Sequence, residues 1–137
     1  MADNKALTQR FIEEVFNQGN LATLEELVDD GFVEHEEFPG TSADKAGLAT
    51  FVTTLRDAFP DIRFEILAMA ADGDEVWIHH VSRGTHKGEW MGMPATGKSI
   101  EVAAIDRVRV RDGRMTEHWG VTDIMTMMQQ LGAVPGA

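Results

Sequence analysis

At Pro60 the periodicity of the chain changes, and this limits what it can fold into more than any other feature. Ahead of the proline, apolar residues recur at helical spacing in three runs. Leu7, Phe11, Ile12, Val15 and Phe16 mark a helix from about Asn4 to Asn17, ended by Gln18-Gly19-Asn20. Asn20 is placed to cap a second, shorter helix that turns Leu21, Leu24, Leu27 and Val28 inward. An extended piece, Phe32-Val33-Glu34-His35, and a Pro39-Gly40 loop come next, and Ser42 is the expected cap of a third helix. Its stripe is Ala46, Leu48, Phe51, Val52, Leu55 and Phe59. Pro60 stops it, because proline lacks an N–H and its ring clashes with the preceding turn.

Beyond Pro60 the apolar residues alternate. Ile62, Phe64, Ile66 and Ala68 share one strand face, and Asp72-Gly73 and Asp112-Gly113 are pairs suited to tight hairpins. Strands are predicted from Glu75 to about Arg83, from Ser99 to Arg111 and from Arg114 to about Val121. Between the first two of these, Gly84, Gly88, Gly92, Pro94 and Gly97 break up a loop holding Trp90, Met91 and Met93. From Asp123 to Leu131 helical spacing returns, with Ile124, Met127, Met128 and Leu131 on one side. Helices followed by an antiparallel meander predict a single α+β domain over residues 1–137. A helix layer on one face of a curved sheet leaves a cone-like pocket, a common place for a small apolar ligand. The other sheet face must be solvated or covered by a second subunit.

Composition then narrows the chemistry. The 137 residues include 23 Asp+Glu against 12 Lys+Arg, a formal charge of −11, with no cysteine and no tyrosine. The charge argues against nucleic acid and anionic membrane partners. Thiolate nucleophiles, disulfides and cysteine-ligated metals are excluded. No run approaches the ~20 apolar residues that span a bilayer. MADNKALTQRF has no apolar signal core, so the cytoplasm is the default location.

Asp106 is the sharpest signal. Val102, Ala104, Asp106, Val108 and Val110 share one strand face, while Arg107, Arg109 and Arg111 lie on the other. A carboxylate on an apolar face needs a partner, a raised pKa or a hydrated cavity. Either it is an acid/base group, or it is a structural carboxylate bonded to an arginine or a helix end. His118, on the neighbouring strand near the Asp112-Gly113 turn, falls within reach of residues 106 to 108. A His–Asp pair makes a general base poised near neutral pH. Met115 and Trp119 are expected on the face opposite His118. Of the adjacent His79 and His80 only one can point inward, and the parity favours His80. His86 sits where a strand leaves the sheet and is expected at the pocket mouth; His35 follows an apolar pair and is expected to point inward. Phe51, Trp90 and Met93 are candidates for the apolar lining, methionine being an adaptable wall or ordinary core filling. HxH, HExxH and Gly-x-Ser-x-Gly patterns are absent from the sequence, so neither a metal nor a cofactor is expected.

The segments FIEEVFNQGN, FVEHEEFPG, LRDAFPD, GTHKGEWMGMPATGK, AIDRVRVRDGRMTEHWGVTD and QQLG, in that order, resemble the SnoaL-like polyketide cyclases and ester cyclases of the NTF2-like superfamily. The resemblance implies an NTF2-like cone that usually forms a homodimer through its sheet. It also implies cofactor-free ring closure by an intramolecular aldol reaction. In those cyclases an aspartate two residues after the histidine matching His118 acts as general acid/base. Gly120 stands there in this chain, leaving Asp106 and Asp123 as the carboxylates nearby. Asp123 has a second reading as the N-cap of the final helix.

The expected function is therefore a cofactor-independent acid/base enzyme for a hydrophobic, carbonyl-bearing small molecule, of cyclase, isomerase or hydratase type. Asp106, His118 and Asp123 are its candidate catalytic residues, and His35, His80 and His86 orient the substrate. Two alternatives are a non-catalytic ligand-binding or dimeric association protein and an epoxide hydrolase-like enzyme. The latter needs an Asp–Arg–Asp set in the pocket, and Arg107, Arg109 and Arg111 point away from Asp106.

Overall fold

A computed structural model describes residues 3–135. The N-terminal helix α1 (Asn4–Phe11) is capped by the Asp3 carboxylate, which accepts from the Ala6 N–H. It runs directly into a π-helical segment, Ile12–Asn17, so the first predicted helix is continuous but changes its winding half-way. Gly19, at φ +73°, ends it where a Cβ would lie 2.7 Å from Arg56 Nε. Arg56 is held there because its guanidinium donates to the carbonyls of Phe16 (2.7 Å) and Asn17 (3.0 Å), orphaned at the helix end.

Asn20 caps α2 (Leu21–Leu27) through its side-chain oxygen, but Leu21 itself is exposed, contrary to the predicted stripe. Strand β1 (Val28–Glu34) follows, then α3 (Lys45–Ala58). Asp44, not Ser42, caps α3: its carboxylate accepts from the Gly47 N–H, and the Ser42 hydroxyl donates to the same carboxylate. Gly47 rather than Ala46 joins the buried stripe, because a Cβ at 47 would sit 1.7 Å from the Ser42 carbonyl oxygen. Packing of the Ser42 turn onto the helix thus demands glycine.

The remaining strands are β2 (Arg63–Asp72), β3 (Glu75–Thr85), β4 (Ser99–Arg111) and β5 (Arg114–Thr122), closed by α4 (Ile124–Leu131). They form one open sheet in the order β1-β5-β4-β3-β2, antiparallel except for the β1–β5 pair. Two bulges correct the predicted faces. Leu67 is an extra residue between the pairs Ile66–His80 and Ala68–His79, so Ala68 is exposed and Met69 takes the inward place. Thr116 is extra between Glu117–Arg109 and Met115–Val110, so Met115 is buried on the same side as His118 rather than opposite it. A bulged residue shifts the period by one, and every side chain beyond it changes face.

The helices cover the concave face, and the core lies between, with Val15, Phe32, Val52, Phe59 and Ile78 fully buried. No helix among the described residues is long and apolar enough to cross a membrane.

Candidate active site

Between helices and sheet lies a cavity of about 230 Å³. One wall is aromatic: Phe11, Phe16, Phe32, Phe38, Phe51 and Trp90. Phe38 packs edge-on against Phe51 at 4.8 Å and lies 5.0 Å from Trp90, whose indole N–H donates to the Met127 sulfur. The floor is polar and comes from the inward rows of the strands, with Glu34, His80, Asp106, His118 and Thr122, and from Glu36 in the bend just after β1.

Register assembles that floor. β4 places Asp106 opposite Gly120 of β5, with His118 one inward step along; β3 brings His80 alongside. His118 Nε2 donates to Asp106 Oδ1 (2.8 Å), and His80 Nε2 donates to Asp106 Oδ2. On its far side His118 Nδ1 donates to Glu34 Oε2, which also accepts the Glu36 N–H. Both ring nitrogens of His118 thus face carboxylates, which only accept when ionised, so the ring is an imidazolium.

Titration follows from these contacts. Burial alone would push Asp106 up, but the hydrogen bonds from His118 and His80 outweigh it and hold the carboxylate at about 2. Burial alone would lower His118, but Asp106 and Glu34 carry it to about 10. Of the three outcomes the sequence leaves open for Asp106 on the apolar face, it takes the first, a partner, and its pKa is not raised. Glu36 is instead the group that burial pushes upward, against one opposing hydrogen bond from the Thr122 hydroxyl (2.9 Å).

The other predicted residues divide. His80 is buried and faces Asp106, while His79 is exposed. Phe51 and Trp90 line the cavity; Met93 does not, because the tight turn over Trp90–Met93 sends Met91 to the pocket instead. His35 points to the outer face, stacked on Trp119 at 4.7 Å and bonded to Glu117 (2.8 Å), so it does not reach a ligand in the cavity. His86 is fully buried away from the cavity, its Nδ1 bonded to Thr96 and its ring against Phe59, where it pins the glycine-rich loop. Asp123 is exposed and caps α4 through Thr126, so it is the helix cap rather than a pocket carboxylate. Arg107, Arg109 and Arg111 pair with Glu75, Glu117 and Asp74 on the outer face, so the epoxide hydrolase set is not assembled.

Sequence reasoning missed Glu34 and Glu36. Counting by twos from the buried Phe32 would have found them, since Phe32, Glu34 and Glu36 share a parity and Val33 and His35 take the other. Glu36, Asp106 and His118 bring one ligand-type atom each within 4.8 Å of one another. A cation there would have to displace the existing Asp106–His118 bond.

An open α+β cone with an ionised His–Asp network at the base of an apolar cavity defines a small-molecule site of NTF2-like type. The sequence model of the SnoaL-like polyketide cyclase family matches residues 6–131. Aklanonic acid methyl ester cyclase DauD of Streptomyces sp. (strain C5) is 32% identical over 111 residues, covering 80% of this chain and just under two thirds, 66%, of that protein. Aklanonic acid methyl ester cyclase DnrD of Streptomyces peucetius is 29% identical over 133 residues, covering 92% and 88%. The crystal structure of IdmH from Streptomyces antibioticus superposes with a TM-score of 0.82 at 35% identity, covering 96% of this chain and 99% of that one. The chain belongs to the SnoaL-like polyketide cyclase family, a group of cyclase-type enzymes.

Proposed function

We propose that this protein closes a ring in a hydrophobic, carbonyl-bearing small molecule by acid/base catalysis without a cofactor. The observation that carries the reading is His118, an imidazolium clamped between Glu34 and Asp106 at the floor of an apolar cavity. Ring closure of the aldol type removes a proton α to one carbonyl and leaves negative charge on oxygen as the new bond forms. A fixed cation in a water-poor site stabilises that charge far more than it would in water. Asp106 acts through its two imidazoles, keeping His118 charged and His80 oriented. The aromatic wall holds a flat apolar substrate and excludes water.

Two relatives are named as cyclases of aklanonic acid methyl ester, so that ester is the first substrate to test. Protein treated with EDTA is expected to convert it to a product of unchanged mass and altered retention. If the ester binds but returns unchanged, the catalytic reading fails and a binding function replaces it.

A second copy of the chain is proposed to cover the outer sheet face, where Leu67 (50%), Trp77 (45%), Ile105 (44%) and Val121 (76%) are exposed. Sedimentation should give a dimer that Val121→Lys dissociates; a monomeric wild type would remove the proposal.

A further inference from the structure

Three half-buried carboxyls face the cavity, and they are not equivalent. Both oxygens of Asp106 are engaged by imidazoles, and Glu34 holds His118 through Oε2. Glu36 is the one bonded to no imidazole among the described residues; its Oε2 accepts only from the Thr122 hydroxyl. Its Oε1 hangs over Gly120. A Cβ at 120 would lie 2.6 Å from that oxygen, 2.6 Å from Asp106 Oδ1 and 3.0 Å from His118 Cε1. Asp106 cannot yield when its two oxygens are pinned, so the bare glycine is what gives the Glu36 carboxyl its place against the His118 cation.

We infer that the Glu36 carboxyl is the proton-exchanging group of this pocket, held in position by the absence of a side chain at Gly120. The inference rests on the acid/base reading above. As a carboxylate, Glu36 takes the proton from the carbon α to a carbonyl, and the C–H electron pair becomes the enolate. The enolate carbon bonds to the second carbonyl carbon, whose π pair moves to oxygen. Glu36 then returns the proton to that oxygen, so the cycle ends as it began. His118 offsets the negative charge throughout. The groups facing Glu36 are Asp106 on β4, His118 and Thr122 on β5 and Glu34 on β1. Burial and the two carboxylates favour its protonated form, whereas Thr122 and His118 favour the ionised one, and the net effect raises it above the ordinary carboxylate value, in the direction a group that must take and give a proton requires.

The experiment pairs turnover of aklanonic acid methyl ester with a ¹³C NMR titration of the ligand-free wild type. Glu36→Gln is expected to lower kcat about 100-fold or more while KM moves little, and to abolish the acidic limb of the rate–pH profile. Glu36→Asp should recover part of kcat and the limb, which a merely structural role would not predict. Retention of kcat within about threefold in Glu36→Gln, with the wild type active, overturns the inference and leaves the cyclase reading standing. If the wild type itself binds the ester and leaves it unclosed, the cyclase reading fails and the inference falls with it. With the wild type active, loss of kcat in Glu36→Gln together with a Glu36 carboxyl titrating above its ordinary value of 4.5 upholds the inference, and titration at or below that value overturns it.

Discussion

On the inner face of β5, His118 meets Glu34 and Asp106; on the outer face of the same strand, Glu117 and Trp119 meet Arg109, His35 and Arg107. Both faces carry histidine, carboxylate and an aromatic ring. Outside, Arg107 lies 3.9 Å over the Trp119 ring and pairs with Glu75, and in the single chain these partly exposed pairs keep more contact with water than the inner ones. Inside, there is less water to screen, so the same kinds of contact hold Asp106 down at about 2, carry His118 up to about 10 and fix a charge pattern. Identical chemistry is adhesive on one side and reactive on the other, and burial makes the difference.

The strongest test of this contrast is Asp106→Asn. It keeps the shape but removes the charge that holds His118 cationic, so kcat should fall about 1000-fold and the His118 resonances should titrate well below 10. Loss of activity without any change in His118 titration would break the comparison. Gly120→Ala comes next: with contacts at 2.6 Å to two carboxyl oxygens, it should cost about 1–3 kcal/mol in chemical denaturation and displace Glu36.

The inner face also sets a pH window. His118, raised from 6.5 to about 10, contributes stability that is full below 6.5 and is lost as pH climbs through 10. Asp106, lowered from 3.8 to about 2, contributes stability that is full above 3.8 and is lost as pH falls through 2. Glu36 works with the opposite sign: raised from 4.5, it contributes stability that is full below 4.5 and is lost as pH rises through its folded value. Denaturation midpoints measured against pH should therefore be highest between about 4 and 6.5, and Asp106→Asn should flatten the curve. The smallest effect belongs to the outer face. Arg107→Ala should change stability by less than about 1 kcal/mol, and added salt should shrink even that.

Much of this was legible in the residues. Unbroken alternation from Val102 to Val110 placed Asp106 inward, and the Asp112-Gly113 turn brought His118 beside it. Alternation failed where a bulge intervened, at Leu67 and at Thr116, because nothing in either residue type announces an extra member of a strand. Glu34 and Glu36 were hidden by composition: Glu-His-Glu-Glu reads as a wet segment until Phe32 is known to be buried. The partners of Asp106 were the deeper gap. A sequence can say that a carboxylate is inside, but only the register of three strands says that two imidazoles await it and depress its pKa rather than raise it.

The parallel pairing of β1 with β5 has a consequence for how the protein is made. Glu34 and His118 stand 84 residues apart in sequence, and the hairpins linking β2 through β5 can form before β1 docks beside them. Closing so long a loop is slow relative to the local turns. The Glu34 side of the clamp on His118 is thus among the last contacts to form, and a chain whose β1 has not docked holds Asp106 between His80 and His118 but lacks Glu34 and the Phe32 part of the wall. The pocket is complete only once β1 has docked on β5.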